Sequence, residues 1–178
     1  SGLIWRQRKK TRGFWQGFAR SKSRVGRSGN SFQMWTAGPT HKPICPQEQQ
    51  LLDSKRYVRA VLPLGDGKCC LHIVSFYGFT NSCRNARARQ KNEELLKLMF
   101  ETLELLGQVP VLIMGDFNTN GDNSPTLDVA LRSQHWFDVA LAWADKTGKE
   151  PVNTCHLRPT SPGSRIDLVL VNRQLACA

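Results

Sequence analysis

The pattern of apolar and polar residues changes at Lys55. Before this residue, hydrophobic periodicity is weak. After it, short apolar runs alternate with turn residues, which is typical of a domain with several strands. The pattern predicts strands at 57–62, 69–77, 110–114, 152–155 and 166–171. The first two flank Gly65-Asp66-Gly67, so we expect them to form an antiparallel hairpin.

Two segments have the pattern of helices. Residues 86–106 carry an apolar stripe at i, i+3/i+4 spacing, and Gly107 lies where a C-terminal cap is expected. Residues 125–133 form the second candidate, with Pro125 in the first turn. The run 110–114 is continuously apolar, which indicates a strand covered on both faces. This mixture predicts an α/β (α+β) fold, a layered β-sandwich flanked by helices.

Charge divides the chain into two parts. The net charge is +11, yet residues 1–47 hold ten of the 25 Lys and Arg residues and none of the 14 acids. We therefore expect a basic arm over 1–50, poorly ordered or degenerate, and a folded domain over 51–178. Such an arm attracts nucleic acid through phosphate contacts and counterion release. A solvated tail is the alternative. The aromatic residues of the arm either stack on bases or pack as strands.

Six cysteines occur without a CxxC pair, and no Cys/His spacing indicates zinc. Since no secretory signal is visible, we expect reduced intracellular thiols, mostly buried. No run approaches the ~18 apolar residues of a membrane span. The chain begins Ser1-Gly2 and not with Met, which favours a fragment or a processed product. The sequence leaves the oligomeric state and the intracellular compartment open, with the nucleus as one candidate.

Candidate chemistry follows the apolar strand 110–114. Gly115 allows a tight turn, and Asp116 and Asn118 are two residues apart, so an extended chain places both on one side. Phe117 then points into the core. A carboxylate can hold a hard cation or orient a water molecule, and an amide can donate to a phosphate oxygen. The alternative is an Asx turn, in which both side chains cap their own backbone.

A second polar group stands at the start of the strand 166–171. Asp167 enters a hydrophobic run, where a carboxylate is unfavourable unless it is paired. It is therefore an edge residue, the partner of an arginine, or the residue that orients a catalytic histidine. The neighbouring Ser164 and Arg165 are candidate phosphate contacts.

Three segments carry a resemblance to a known family. The segments are VPVLIMGDFN at 109–118, SRIDLVL at 164–170 and VSFYGF at 74–79. They resemble core motifs of the endonuclease/exonuclease/phosphatase superfamily, which includes pancreatic-type deoxyribonuclease, abasic-site endonucleases, retrotransposon endonucleases and inositol-polyphosphate 5-phosphatases. The resemblance covers about 57–171. It implies a deoxyribonuclease-like fold, incomplete at both ends, and hydrolysis of phosphodiester bonds with Mg²⁺ or Mn²⁺, in nucleic acid or in small phosphoesters.

The resemblance also implies roles for single residues. Asp116 would orient or activate the water beside the metal, and Asn118 would bind the scissile phosphate. Asp167 would hold a catalytic histidine in its useful tautomer. Tyr77 would stabilise the charge of the phosphate or leaving group, and Thr154 would contact phosphate. For the last two, a half-buried strand tyrosine and plain β propensity are the alternatives.

The chain departs from the family at two points. The family has a metal-binding Glu on an early strand, but residues 1–47 contain no acid, and Glu48 has no apolar strand before it. The family also ends in a Ser-Asp-His strand, and none of the four histidines here matches that position. We therefore expect half of an active site, with weak turnover or none. A remnant that binds nucleic acid without turnover is the competing hypothesis.

Overall fold

A computed structural model describes residues 15–20, 31–36, 42–64, 69–156 and 163–177. The strands within them are β1 (Trp15–Arg20), β2 (Ser31–Thr36), β3 (Tyr57–Leu64), β4 (Cys69–Tyr77), β5 (Val111–Asp116), β6 (Trp136–Asp138) and β7 (Asp167–Asn172). The helices are α1 (Pro46–Asp53), α2 (Ala86–Glu104), α3 (Pro125–Arg132), α4 (Val139–Thr147) and α5 (Arg173–Ala176). The predicted turn at 65–67 lies outside the described residues.

The principal sheet has five strands in the order β3-β4-β5-β7-β6. Strands β4 and β5 are parallel, and the other neighbours are antiparallel. A parallel pair needs a crossover connection, and α2 forms it here. Strands β1 and β2 form a separate antiparallel hairpin. The mixed sheet with its helices confirms the predicted α+β class.

One face of the sheet is covered by helices. The alternate residues of β4, β5 and β7 on this face are buried and pack against the apolar stripe of α2. The most deeply buried members of this core are Leu51, Val74, Phe76, Leu96, Met99, Ile113, Phe117, Leu127 and Leu170. The opposite face carries Met114 and Val169, whose side chains are 38% and 41% exposed. No helix in the described ranges is long and apolar enough to cross a membrane.

A buried ion pair joins helix α1 to strand β3. Glu48 is 1% exposed and Arg59 of β3 is 3% exposed, with 2.6 Å between Oε1 and Nε. The Tyr57 hydroxyl donates to the same carboxylate at 2.9 Å. Burial alone would raise the pKa of Glu48, but hydrogen bonds from Arg59 and from the Ile44 amide, with the charge of Arg59, hold it below its ordinary value. This contribution to stability is therefore present near neutral pH and is lost as the pH falls through the lowered pKa.

The predicted domain boundary between residues 50 and 51 falls inside α1. Glu48 and Leu51 are both buried, so the helix belongs to the folded domain from its first turn. Cys45 is its N-cap and Pro46 occupies the first turn, where a missing N–H does no harm.

Two predictions about local structure are wrong. Residues 152–155 form a single bridge between Cys155 and Ser164 and no strand, because Thr154 turns its hydroxyl to the start of β7 instead. Helix α4 was not predicted, since it buries no residue and therefore has no core-facing stripe. Its Asp138 N-cap and left-handed Gly148 C-cap were the available signals.

The expectation of mostly buried cysteines is also wrong. All six are free thiols, and none is fully buried. They lie at the ends of elements and in loops, where solvent reaches them: Cys45 caps α1, Cys69 and Cys70 begin β4, Cys83 precedes α2, Cys155 forms the isolated bridge to Ser164, and Cys177 caps α5.

The Glu48–Arg59 pair leads to a stability prediction. Glu48→Leu leaves the Arg59 charge buried without its partner, so we expect a loss of about 3–5 kcal/mol in the free energy of unfolding. Urea denaturation at neutral pH measures it. The control is Lys97→Ala, which breaks an ion pair whose side chains are 70% and 56% exposed, and it should change stability by less than about 1 kcal/mol. Equal effects of the two substitutions would contradict the assignment.

Candidate active site

Three of the predicted site residues lie side by side in the sheet. Tyr77 of β4 pairs with Asp116 of β5, and Asp116 pairs with Asp167 of β7. They form one row across three adjacent strands. Asp167 is exposed, whereas Tyr77 and Asp116 are half-buried. The register of the sheet therefore brings together residues that are separated by up to 90 positions in the sequence.

The two carboxylates of the row influence each other. Burial raises the pKa of Asp116 above its ordinary value, and the charge of Asp167 acts in the same direction. A hydrogen bond from the Asn118 amide opposes both. Negative charge is thus concentrated at this end of the sheet, in a partly desolvated position that favours a cation.

Asn118 lies next to the row in a turn. Its φ is +53°, so the predicted extended geometry at this residue is wrong. Its backbone N–H donates to Asp116 Oδ1 at 3.0 Å, which is the Asx-type contact considered as the alternative. Its Nδ2 donates to the carbonyl of Gly78 at 3.3 Å, and its own carbonyl accepts from the Ser82 hydroxyl. The turn keeps Asn118 beside Asp116. The Asx-type contact is therefore compatible with the predicted role of Asn118 in binding phosphate.

The backbone after β4 and the backbone after β5 are in direct contact. A Cβ at Gly78 would lie 2.0 Å from the Phe117 carbonyl oxygen, and a Cβ at Gly115, whose φ is +153°, would lie 1.8 Å from the Phe76 carbonyl oxygen. Phe117 is fully buried as predicted, and its ring centroid is 5.0 Å from that of Phe76. Glycine at these positions allows the site-bearing segments to approach.

The remaining predicted residues have structural partners. The Thr154 hydroxyl accepts from the backbone amides of Ile166 and Asp167, each at 3.1 Å. Arg165 forms a two-point ion pair with the buried carboxylate of Asp138, at 3.1 and 2.5 Å. Thr154 thus fixes the beginning of β7. The guanidinium of Arg165 is held by Asp138, so the predicted phosphate contact would compete with this pair.

The backbone of Ser164 has a structural partner. Its amide and carbonyl pair with Cys155, which closes the loop ahead of β7. A phosphate contact of its side chain stays a prediction.

Sequence reasoning missed three residues around the site. Asn92 is fully buried and hydrogen bonds to both site-bearing segments, Ser82 binds the Asn118 carbonyl, and Asp138 holds Arg165. The available signal for Asn92 was its position in the apolar stripe of α2, where a polar residue needs a buried partner.

Asp116 is the residue for which metal binding is predicted, and the register of the sheet places the Asp167 carboxylate beside it as a second oxygen donor. Within the described ranges, no group of three His, Cys, Asp or Glu side chains could hold a metal ion. Two carboxylates nevertheless fit Mg²⁺, which keeps several water molecules and commonly binds proteins through one or two carboxylates. The raised pKa of Asp116 beside Asp167 is consistent with a site whose charge a cation would balance.

Comparison with known proteins identifies the class. The sequence profile of the Endonuclease/Exonuclease/phosphatase family matches residues 8–178. The chain belongs to this family, whose members are hydrolases that act on phosphoester bonds. The resemblance carried by the three motifs is thereby confirmed. None of the curated protein sequences matches the chain.

One solved structure supports the same fold, and two others are similar over part of their length. The catalytic domain of Xenopus laevis APE2 is similar with a TM-score of 0.52 and 22% identity, over 74% of this chain and 50% of that one. The human Nocturnin catalytic domain gives 0.45 and 14%, over 66% and 41%. Truncated Caenorhabditis elegans TDP2 gives 0.44 and 10%, over 65% and 47%. This chain thus spans half or less of the length of these structures.

The row predicts a pH-dependent stability difference. Because folding raises the pKa of Asp116, its favourable contribution is complete below the unfolded value of 3.8 and is lost as the pH rises through the folded value. Asp116→Asn keeps an acceptor for the Asn118 amide and removes the charge. We expect it to exceed the wild type in stability at pH 7 by a few tenths to about 1 kcal/mol, with the difference shrinking toward pH 4. Urea titrations at both pH values measure this, and the exposed Asp145→Asn on α4 is the control. A variant less stable than wild type at pH 7 would refute the assignment.

The contact at Gly78 leads to a second prediction. Gly78→Ala forces a methyl group against the Phe117 carbonyl, so we expect a loss of at least about 1–3 kcal/mol. The matched control is Gly121→Ala, because its Cβ would meet its nearest atom at 3.8 Å, and its effect should stay within about 0.5 kcal/mol. Thermal unfolding of the two variants tests the difference, and similar melting temperatures would disprove the close contact.

Proposed function

We propose that Tyr77, Asp116, Asn118 and Asp167 form half of a metal-dependent phosphodiesterase site that acts on nucleic acid. The observation that supports this most is the single row of Tyr77, Asp116 and Asp167 across β4, β5 and β7. It brings a half-buried carboxylate, that of Asp116, together with the exposed carboxylate of Asp167. A nuclease site needs such a group of oxygen ligands beside donors for a phosphate.

In this proposal, each side chain has a distinct task. Asp116 and Asp167 would hold Mg²⁺ or Mn²⁺, and the bound ion would neutralise charge on the phosphate. Asp116 would also orient the attacking water and accept its proton. Asn118 Nδ2 and the Tyr77 hydroxyl donate to phosphate oxygens.

The other half of the reaction needs a proton for the leaving oxygen. In the family resemblance, a histidine of a Ser-Asp-His strand supplies it, and Asp167 orients that histidine. The 178-residue sequence contains no Ser-Asp-His segment. Since a general acid or base typically contributes ~10²–10⁴-fold, turnover by this chain alone should be slow.

Charge supports nucleic acid as the substrate class over small phosphoesters. Ten cations and no acid occur in residues 1–47, and the net charge is +11. A polyanion engages many such groups at once, whereas a small phosphoester engages few.

A second candidate function is binding of nucleic acid without turnover. The observation in its favour is the missing third metal-ligating side chain among the described residues. Both candidates predict binding that weakens with salt, so turnover and metal binding must distinguish them.

The first measurement is Mn²⁺ affinity by titration calorimetry. We expect Asp116→Asn and Asp167→Asn each to weaken Mn²⁺ binding about 10-fold or more, a change of ~1.4 kcal/mol. The control Asp145→Asn removes an exposed carboxylate from α4 and should leave the affinity unchanged.

The second measurement is nicking of supercoiled plasmid with Mg²⁺. We expect slow nicking that is lost in Asn118→Ala. Salt-sensitive plasmid binding without any nicking or Mn²⁺ binding would favour the second candidate. Nicking that persists in both Asn118→Ala and Asp116→Asn would rule out this row as its source.

A further inference from the structure

We infer that Asn92 is the positioning residue of the candidate site. A single buried amide on α2 hydrogen bonds to the segment after β4 and to the segment after β5, and thereby fixes their separation. What the site does rests on the proposed function, whereas the position of its segments does not.

The geometry of Asn92 supports this directly. Its side chain is fully buried. Oδ1 accepts from the Phe79 amide at 2.9 Å, and Nδ2 donates to the Phe117 carbonyl at 3.0 Å. Phe79 lies two residues after Tyr77, and Phe117 lies between Asp116 and Asn118. Both hydrogen bonds therefore end on the backbone that carries the site side chains.

The residue type is suited to this task. Asn92 lies four residues before Leu96 and seven before Met99, so it shares the buried face of α2. A buried amide is unfavourable unless its hydrogen bonds are made. One contact needs an acceptor on the side chain, and the other needs a donor. Leucine has neither, and an ionised aspartate has no donor. An apolar residue would suit the packing of the core at this position. The presence of an amide is therefore explained by its two backbone partners.

A third contact links Asn92 to the phosphate-binding candidate. Gly78 lies close to the Asn92 side chain, since a Cβ at Gly78 would lie 2.8 Å from Asn92 Oδ1. The Gly78 carbonyl accepts from Asn118 Nδ2 at 3.3 Å and from Arg56 Nη1 at 2.7 Å. Loss of the Asn92 clamp would therefore let Asn118 move relative to Asp116. A misplacement of about 1 Å is enough to lower the effectiveness of a site 10²-fold.

A purely structural role in α2 is the competing explanation. A matched control separates the two. Met99 is fully buried on the same face of α2, seven residues further on, which is about 10 Å along the helix axis. Met99→Ala destabilises the same core and leaves both hydrogen bonds of Asn92 in place. Thr102→Val tests removal of another buried polar group, since the Thr102 hydroxyl is buried without a hydrogen-bond partner.

The experiment compares Asn92→Leu with these two controls under conditions in which all are folded. NMR follows the side-chain amide of Asn118 and the backbone amides of Tyr77 and Asp116, and Mn²⁺ titration follows the site. We expect shifted Asn118 signals and Mn²⁺ affinity at least 10-fold weaker in Asn92→Leu only. Asn92→Asp keeps the acceptor for Phe79 and loses the donor to Phe117, so it should show the same Asn118 shift and serves if the leucine variant does not fold.

The outcomes are separable from those of the proposed function. The positioning role is overturned if the Asn118 signals of Asn92→Leu match those of the wild type. Where Asn92→Asp is used in place of the leucine variant, the same comparison decides. The role is also overturned if Met99→Ala shifts these signals equally. If the wild type binds no Mn²⁺, the proposed metal site fails, and the NMR comparison alone decides the role of Asn92.

Discussion

The close contact between Gly78 and the Phe117 carbonyl is the constraint on which the candidate site depends. Strands β4 and β5 are parallel, so their carboxyl ends meet at one edge of the sheet. The polar residues that follow each strand are brought to that edge, and backbone hydrogen bonds from Gly78 to the Asp116 carbonyl and from Phe117 to the Ile166 carbonyl, each at 2.7 Å, hold part of the chain beyond it. The absence of a side chain at Gly78, the buried ring of Phe117 and the amide of Asn92 together fix it. The core of the domain and the geometry of the site are therefore determined by the same few contacts.

The core and the candidate site occupy different parts of the sheet. The helix-covered face holds large, fully buried side chains, and close packing makes such a surface rigid. The row of Tyr77, Asp116 and Asp167 lies at the edge of this frame, with Met114 and Val169 partly exposed on the alternate positions. A rigid sheet thus presents one exposed and two half-buried polar side chains at its edge.

Sequence patterns predicted β3, β4, β5, β7, α2, α3 and the residues of the row, because apolar periodicity and the GDFN and SRID segments are local signals. The pairing of Tyr77 with Asp116 and of Asp116 with Asp167 required the register of three strands, which no local pattern contains. Helix α4 was missed because it buries nothing. Asn92 was missed since its partners are backbone groups 13 and 25 residues away. The turn at Asn118 depends on contacts with Gly78 and Ser82 that only the fold creates.

Three carboxylates show how the chain treats buried negative charge. Glu48 is balanced by Arg59 and Tyr57, and Asp138 is balanced by Arg165 while it caps α4. Asp116 instead accepts a neutral amide N–H and faces a second carboxylate, and its pKa is raised where that of Glu48 is lowered. A fold that balances charge elsewhere and leaves it unbalanced at one edge sacrifices stability there. Such a sacrifice is expected where a cation or a reacting proton is to be received, and it is the reason for proposing the site at this edge.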